Sequence, residues 1–134
     1  MQNSAAPCPA VVQAQFEIQK RLKVDLAEGQ ERLIELNRFL TGVVNSGAPQ
    51  VPSVWVDEAW HALLENHGAY VDYLRACAMP YVKHVPGETT IEQYESTRAL
   101  MLDTGGSAKA WPPRSQGDCN GGCSGCSGDG GNEG

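Results

Sequence analysis

No apolar run in this chain approaches the roughly 20 residues that span a bilayer, and the opening MQNSAAPCPA has neither the basic residue nor the apolar stretch of a secretory signal. Both absences point to a cytoplasmic protein with no membrane role. Basic residues are scarce: ten Lys and Arg stand against sixteen Asp and Glu, a formal charge of −6. With a pI near 4.9, there is no general field to draw in nucleic acid. Strict apolar–polar alternation long enough for a strand is missing. So is a glycine loop set between strand and helix to cradle phosphate, and so is a nucleophile-elbow serine. An odd number of cysteines, five, without a secretion signal argues against a disulfide scaffold.

What is there divides into three parts. Residues 1–10 read as a flexible leader with Pro7 and Pro9. Residues 11–111 hold nearly all the large apolar side chains and all three histidines, enough for one small domain. Residues 112–134 form a tail with eight glycines and no aliphatic or aromatic residue. Such a tail buries too little apolar surface to offset its ordering entropy, and is expected to be disordered.

Within the domain, apolar residues recur three and four apart, which predicts an all-α fold of about four helices, bundled or orthogonal. A first helix is expected from Val11 to about Ala27, with Val12, Phe16 and Leu22 in the core and Gly29 as its stop or as a kink. A second, from about Gln30 to Val44, carries Leu33, Leu36, Leu40 and Val44 on one face and ends in the turn-forming NSGAPQVP. The third opens at Ser53 as N-cap. Val56, Ala59, Trp60, Leu63, Leu64, His67, Tyr70, Val71, Leu74, Cys77 and Ala78 make its apolar stripe. Gly68 interrupts that stripe, leaving either one bent helix or two that meet near Asn66–Gly68, and Pro80 ends it. A last helix opens at Thr89 or Thr90, where Glu92 and Gln93 give capping-box spacing, and closes near Gly105–Gly106.

Three constellations invite chemistry. Asp57 and His61 lie four apart on a predicted helix and share one side of it. At about 100° per residue, they flank the stripe rather than sit in it. His84 follows Pro80, where the chain must fold back, and is the natural third member of the set. Two imidazoles and a carboxylate suit zinc or iron with a position left for water; the competing reading is a buried hydrogen-bond pair that locks two helices. His67, in the middle of the stripe, reads as a core or interface histidine, and Trp60 and Tyr70 read as packing residues. In the tail, Cys119, Cys123 and Cys126 have a C-x3-C-x2-C spacing. That spacing occurs in radical S-adenosylmethionine enzymes, but those resemble barrels of more than about 200 residues. A thiolate clasp for zinc or copper(I), completed by Cys77, Cys8 or a histidine, is one reading; free thiols and a modified peptide are the others.

The run VPSVWVDEAWH, the tyrosine nine residues after its histidine, KHVPG and YESTRALM together resemble the glycine-rich domain-containing protein-like family. The resemblance covers roughly Glu31 to Pro113. It takes in Arg38, Phe39 and Leu40, then Val56, Asp57, Trp60, His61, Tyr70 and Tyr73, then His84 and Pro86, and finally Tyr94, Thr97 and Trp111. Two positions depart from the family pattern: Lys83 stands where the first histidine of an H-H pair is usual, and Leu74 where a cysteine often follows the tyrosines. The resemblance implies glycine-rich sequence attached to the domain and no established activity, substrate or cofactor.

Three functions compete on these residues. A helical interaction or scaffold domain, with a protein partner or self-association, comes first and is favoured over an enzyme. A metal-binding protein using Asp57, His61 and His84 or the tail thiols, with zinc, iron or copper, is second. A folded leader carrying a Cys-rich peptide to a modifying enzyme is third.

Overall fold

Local chemistry places the helix starts in the computed structural model, which describes residues 8–85 and 87–114. Helix α1, Pro9–Leu22, has proline at its first turn, where a missing N–H leaves no hydrogen bond unmade. Helix α2, Leu26–Ser46, is capped by Asp25, which accepts from the Glu28 N–H at 2.9 Å. Ser53 caps α3, Val54–Leu64, by accepting from Val56. Asn66 caps α4, His67–Ala76, by accepting from Ala69. Thr90 opens α5, Ile91–Asp103, in a complete capping box with Gln93. Each cap satisfies an N–H that the helix itself leaves without a partner.

No strand occurs among the described residues, so the fold is all-α. The described residues form five helices rather than about four, because the long third segment is two. Asn66, at φ −116° and ψ 87°, breaks it, at the start of the Asn66–Gly68 window expected from the sequence. That break also removes His67 from the expected stripe. His67 is exposed at the start of α4, its ring centroid 5.8 Å from that of Tyr81, and is not a core residue.

The first helix also departs from expectation. It begins at Pro9, inside the stretch read as a leader, and ends at Leu22. Lys23 then takes a left-handed conformation at φ 57°, and the Val24 N–H closes on the Gln19 carbonyl at 3.1 Å. Gly29 is no stop. It lies inside α2 where α1 crosses, and a Cβ there would come within 2.5 Å of Gln19 Cγ. Val12 and Phe16 are 49 % and 53 % exposed, and Leu22 is half-buried. The face of α1 that packs carries Ala14, Glu17 and Ile18. Helices α2, α3 and α4 all pack against α1, and Ala14 is fully buried among them.

The core runs from Ala14 and Ile18 through Leu33, Leu36, Phe39 and Leu40 to the faces of α3 and α4, where Trp60 and Tyr70 are buried as expected. Helix α5 packs on α2, and the chain after it returns to insert Trp111 between Phe39 and Tyr94, with centroid separations of 6.1 and 6.4 Å. Buried Glu35 accepts from Trp111 Nε1 at 3.0 Å and from the Ser107 N–H at 3.1 Å. Order continues past the expected domain end. The Tyr94 hydroxyl donates to the Pro112 carbonyl, and the Arg114 N–H donates to Glu95. Residues 115–134, with Cys119, Cys123 and Cys126, lie outside the described residues, as do residues 1–7 and Pro86. No described helix is long and apolar enough to cross a membrane.

Candidate metal centre

Helix α3 presents Asp57 and His61 one turn apart on the side that faces away from the core. The third member arrives by a reversal of the chain. After α4, Ala78 takes a left-handed turn at φ 57°, and two closing bonds form, Ala78 N–H to Arg75 and Met79 N–H to Leu74. The extended segment that follows runs back along α3 and brings His84 to Asp57.

That segment is latched from below. Trp60 Nε1 donates to the Tyr70 hydroxyl at 3.1 Å, and the Tyr70 hydroxyl donates to the Val82 carbonyl at 2.5 Å. Burial pushes the Tyr70 hydroxyl up to about 12, so it keeps its proton and its role as donor at neutral pH. The Trp60 ring meets the His84 ring edge-on, centroids 4.5 Å apart. Two side chains of α3 and α4 therefore set both the depth of residue 82 and the face of residue 84.

The resulting cluster is tight. His84 Nε2 lies 3.0 Å from Asp57 Oδ1 and 3.0 Å from His61 Nε2, and His61 Nε2 lies 3.3 Å from Asp57 Oδ2. An ion held tetrahedrally at about 2.0–2.1 Å from each donor keeps its ligand atoms roughly 3.3 Å apart. Here the two imidazoles are nearest to different oxygens of Asp57, and one donor atom from each residue lies within 4.8 Å of the others. A ring nitrogen has one in-plane orbital, which holds either a proton or a lone pair. His84 Nε2 faces two partners with that single orbital, so a proton serves one contact well; a cation among the three donors serves all of them. The side chains of His84, Asp57 and His61 are 21 %, 36 % and 58 % exposed. One side of the cluster thus faces water, as a site with an open coordination position requires. The competing reading of a buried lock between two helices fits in part: the Asp57–His84 hydrogen bond ties α3 to the returning segment, while Asp57 and His61 share one helix and neither is buried.

A basin of about 760 Å³ opens beside Asp57 and His61, lined also by Arg21 and Leu22 of α1, Arg32 of α2, and Glu58, Ala62 and Glu65 around α3. Its two arginines were not legible as site residues, because α1 and α2 carry them far from residue 57 in sequence. The Tyr70 latch was half legible: Tyr70 stands in the family resemblance, but its partner is a backbone carbonyl, which leaves no trace in the residue types.

Other singled-out residues lie elsewhere. Tyr73 is buried, its hydroxyl accepts from Asn37 Nδ2 at 2.7 Å, and burial raises its pKa. Cys77 is half-buried beside the same Asn37, and Cys8 is exposed. Lys83 is exposed next to the triad. Thr97 accepts from the Val51 N–H at 2.9 Å and, with Tyr94 and Trp111, belongs to the opposite end of the core. Asp57, His61 and His84 form the sole cluster of three or more potential metal ligands among the described residues. Comparison with family models, with curated proteins and with solved structures finds no match to this chain.

Proposed function

We propose that this domain, which resembles the glycine-rich domain-containing protein-like family, is a metal-binding protein whose Asp57, His61 and His84 hold a divalent transition ion. The observation that carries the reading is the convergence of three donors from two chain segments, with their ligand atoms within 4.8 Å of one another. Two imidazoles and one carboxylate favour zinc or iron(II) and are too hard a set for copper(I). Bound there, the ion supplies a Lewis-acidic position open to the basin. Asp57 neutralises half its charge, and the Trp60–Tyr70–Val82 latch holds His84 in place for it.

The test is metal content and affinity of the full chain carrying no polyhistidine tag. Wild type is expected to take up one zinc or cobalt(II), and His61→Ala to bind at least about 100-fold more weakly through loss of one of three ligands. Because the tail thiols also bind soft metals, the decisive sample is a triple Cys119→Ser, Cys123→Ser, Cys126→Ser variant. If that variant has lost the ion while His61→Ala keeps it, the ion belongs to the tail and the triad reading is wrong.

The interaction reading keeps one supporting observation. Val12 and Phe16 lie four apart on α1 and both stay about half exposed, an apolar pair on an otherwise polar face that suits a protein partner or another copy of the chain.

A further inference from the structure

The basin beside the triad has a charge balance that a bound ion would reverse. With the imidazoles neutral, as metal ligands must be, Asp57, Glu58 and Glu65 oppose Arg21 and Arg32, so the basin is net negative without metal. A divalent ion makes it net positive. The two arginines are not equivalent. Arg32 is buried and saturated: it donates to Glu28 at 2.9 Å, to the Trp55 carbonyl at 3.1 Å and to Glu58 at 3.0 Å, with its guanidinium over the Trp55 ring. Arg21 is one-third exposed. Its Nε is held by Glu17 at 3.1 Å, but its Nη1 has only a loose pairing with Glu65, at 3.9 Å. Asp57, His61 and the C-cap residue Glu65 follow each other at intervals of four residues, so the carboxylate with which Arg21 loosely pairs belongs to the turn after the metal-binding imidazole, and both line the basin.

Resting on the metal reading, we infer that the loaded site binds a small oxyanion, a carboxylate or phosphate. One of its oxygens ligates the ion's open position and another pairs with Arg21 in place of Glu65. A guanidinium with free N–H groups matches the planar or tetrahedral oxygens of such a ligand. The spacing favours a molecule with two oxygen groups a few bonds apart over a single carboxylate. Metal and anion are then coupled: the anion binds the loaded protein and not the metal-free one.

Full chain carrying Cys119→Ser, Cys123→Ser and Cys126→Ser, loaded with cobalt(II) and followed by its visible absorption, would be titrated with malonate, acetate and inorganic phosphate, Arg21→Gln and Glu65→Gln being made in this background. Malonate or phosphate is expected to change the spectrum at lower concentration than acetate, and whichever of the two binds tighter assigns an organic acid or a phosphate as the ligand class. Arg21→Gln is expected to weaken that binding about 10-fold, the loss of a hydrogen bond to a charged group. Glu65→Gln, which removes the competing carboxylate at a two-thirds exposed position, is expected to strengthen it. Equal anion affinity in the parent chain, Arg21→Gln and Glu65→Gln would overturn the inference while cobalt uptake left the metal reading standing. Failure to take up cobalt would overturn both.

Discussion

Two acidic groups, Glu35 and Asp57, belong to helices packed on the same core and do opposite things. Glu35 is 4 % exposed, and its oxygens are taken up by the Trp111 indole, the Ser107 N–H and the Arg38 side chain. Everything it meets is a fixed donor from the domain's own chain, and it clasps the segment after α5 onto α2. Asp57 is over a third exposed, and its two oxygens meet two imidazoles whose Nε2 atoms also lie 3.0 Å from each other. A saturated buried carboxylate is a fastener, because breaking any of its bonds leaves an unpaired charge. A carboxylate that is over a third exposed and paired at the surface contributes little to folding.

The contrast breaks first at Trp111, where the largest effect on stability is expected. Trp111→Ala empties the space between Phe39 and Tyr94 and leaves Glu35 without its indole donor, at a cost of about 3–5 kcal/mol. Denaturant unfolding measures that loss, and metal affinity of the folded fraction is expected to stay at the wild-type value. A metal affinity that falls with it would erase the distinction between the two carboxylates.

Tyr70 tests the boundary between them, because it is both buried and coupled to the triad. Tyr70→Phe keeps the ring but leaves the Val82 carbonyl and Trp60 Nε1 without partners, costing about 1–3 kcal/mol. It is also expected to weaken metal binding about 10-fold by freeing His84, the usual scale for a residue that orients a ligand. Calorimetric metal titration separates that from a purely structural loss, which would lower the unfolding midpoint and leave affinity unchanged.

The smallest effect is expected at Glu17, another fastener, where α1 meets Asn66. Its burial acts to raise its pKa, but hydrogen bonds from Asn66 and Arg21 and the nearby Lys20 charge outweigh that and hold it below the usual glutamate range. A group with a lowered folded pKa stabilises the protein above its unfolded value, and that contribution is lost as the pH falls through the folded one. Stability is therefore expected to drop below about pH 4.3, and Glu17→Gln to flatten that part of the curve. An unchanged acid limb in the Gln variant would show that Glu17 is no fastener.

Glu17 also shows why the sequence misplaces the first helix. Its three-and-four spacing allows two apolar faces on α1, one through Val12 and Phe16 and one through Ala14 and Ile18. The Ala14–Ile18 face, flanked by the partly buried Val11 and Leu22, includes a glutamate, which hides its core role from a simple apolar pattern. It wins because Asn66, forty-nine residues away, reaches that glutamate, and because alanine admits neighbours closer than phenylalanine does. His67 fails for a related reason. A stripe read through residues 56–78 assumes one helix, and the break at Asn66 resets the register.

Caps were legible at Ser53 and Thr90, where a proline or a capping-box pair marks the helix start in one window of sequence. They were not at Asp25 or Asn66, whose partners are also three residues away but which lay inside stretches read as helix. The turns at Lys23 and Ala78 were not, because left-handed backbone there has no glycine to announce it. The same boundary runs through the candidate site. Spacing along one helix already puts Asp57 and His61 on one side of α3, and proline positions already require the chain to reverse before His84. Tertiary structure decided the rest. Only the Trp60–Tyr70–Val82 latch brings His84 to 3.0 Å from both partners, and only the crossing of α1 over α3 sets Arg21 beside them. Helical period and capping are local properties of the chain, whereas a shared ligand sphere depends on contacts between segments that only packing brings together.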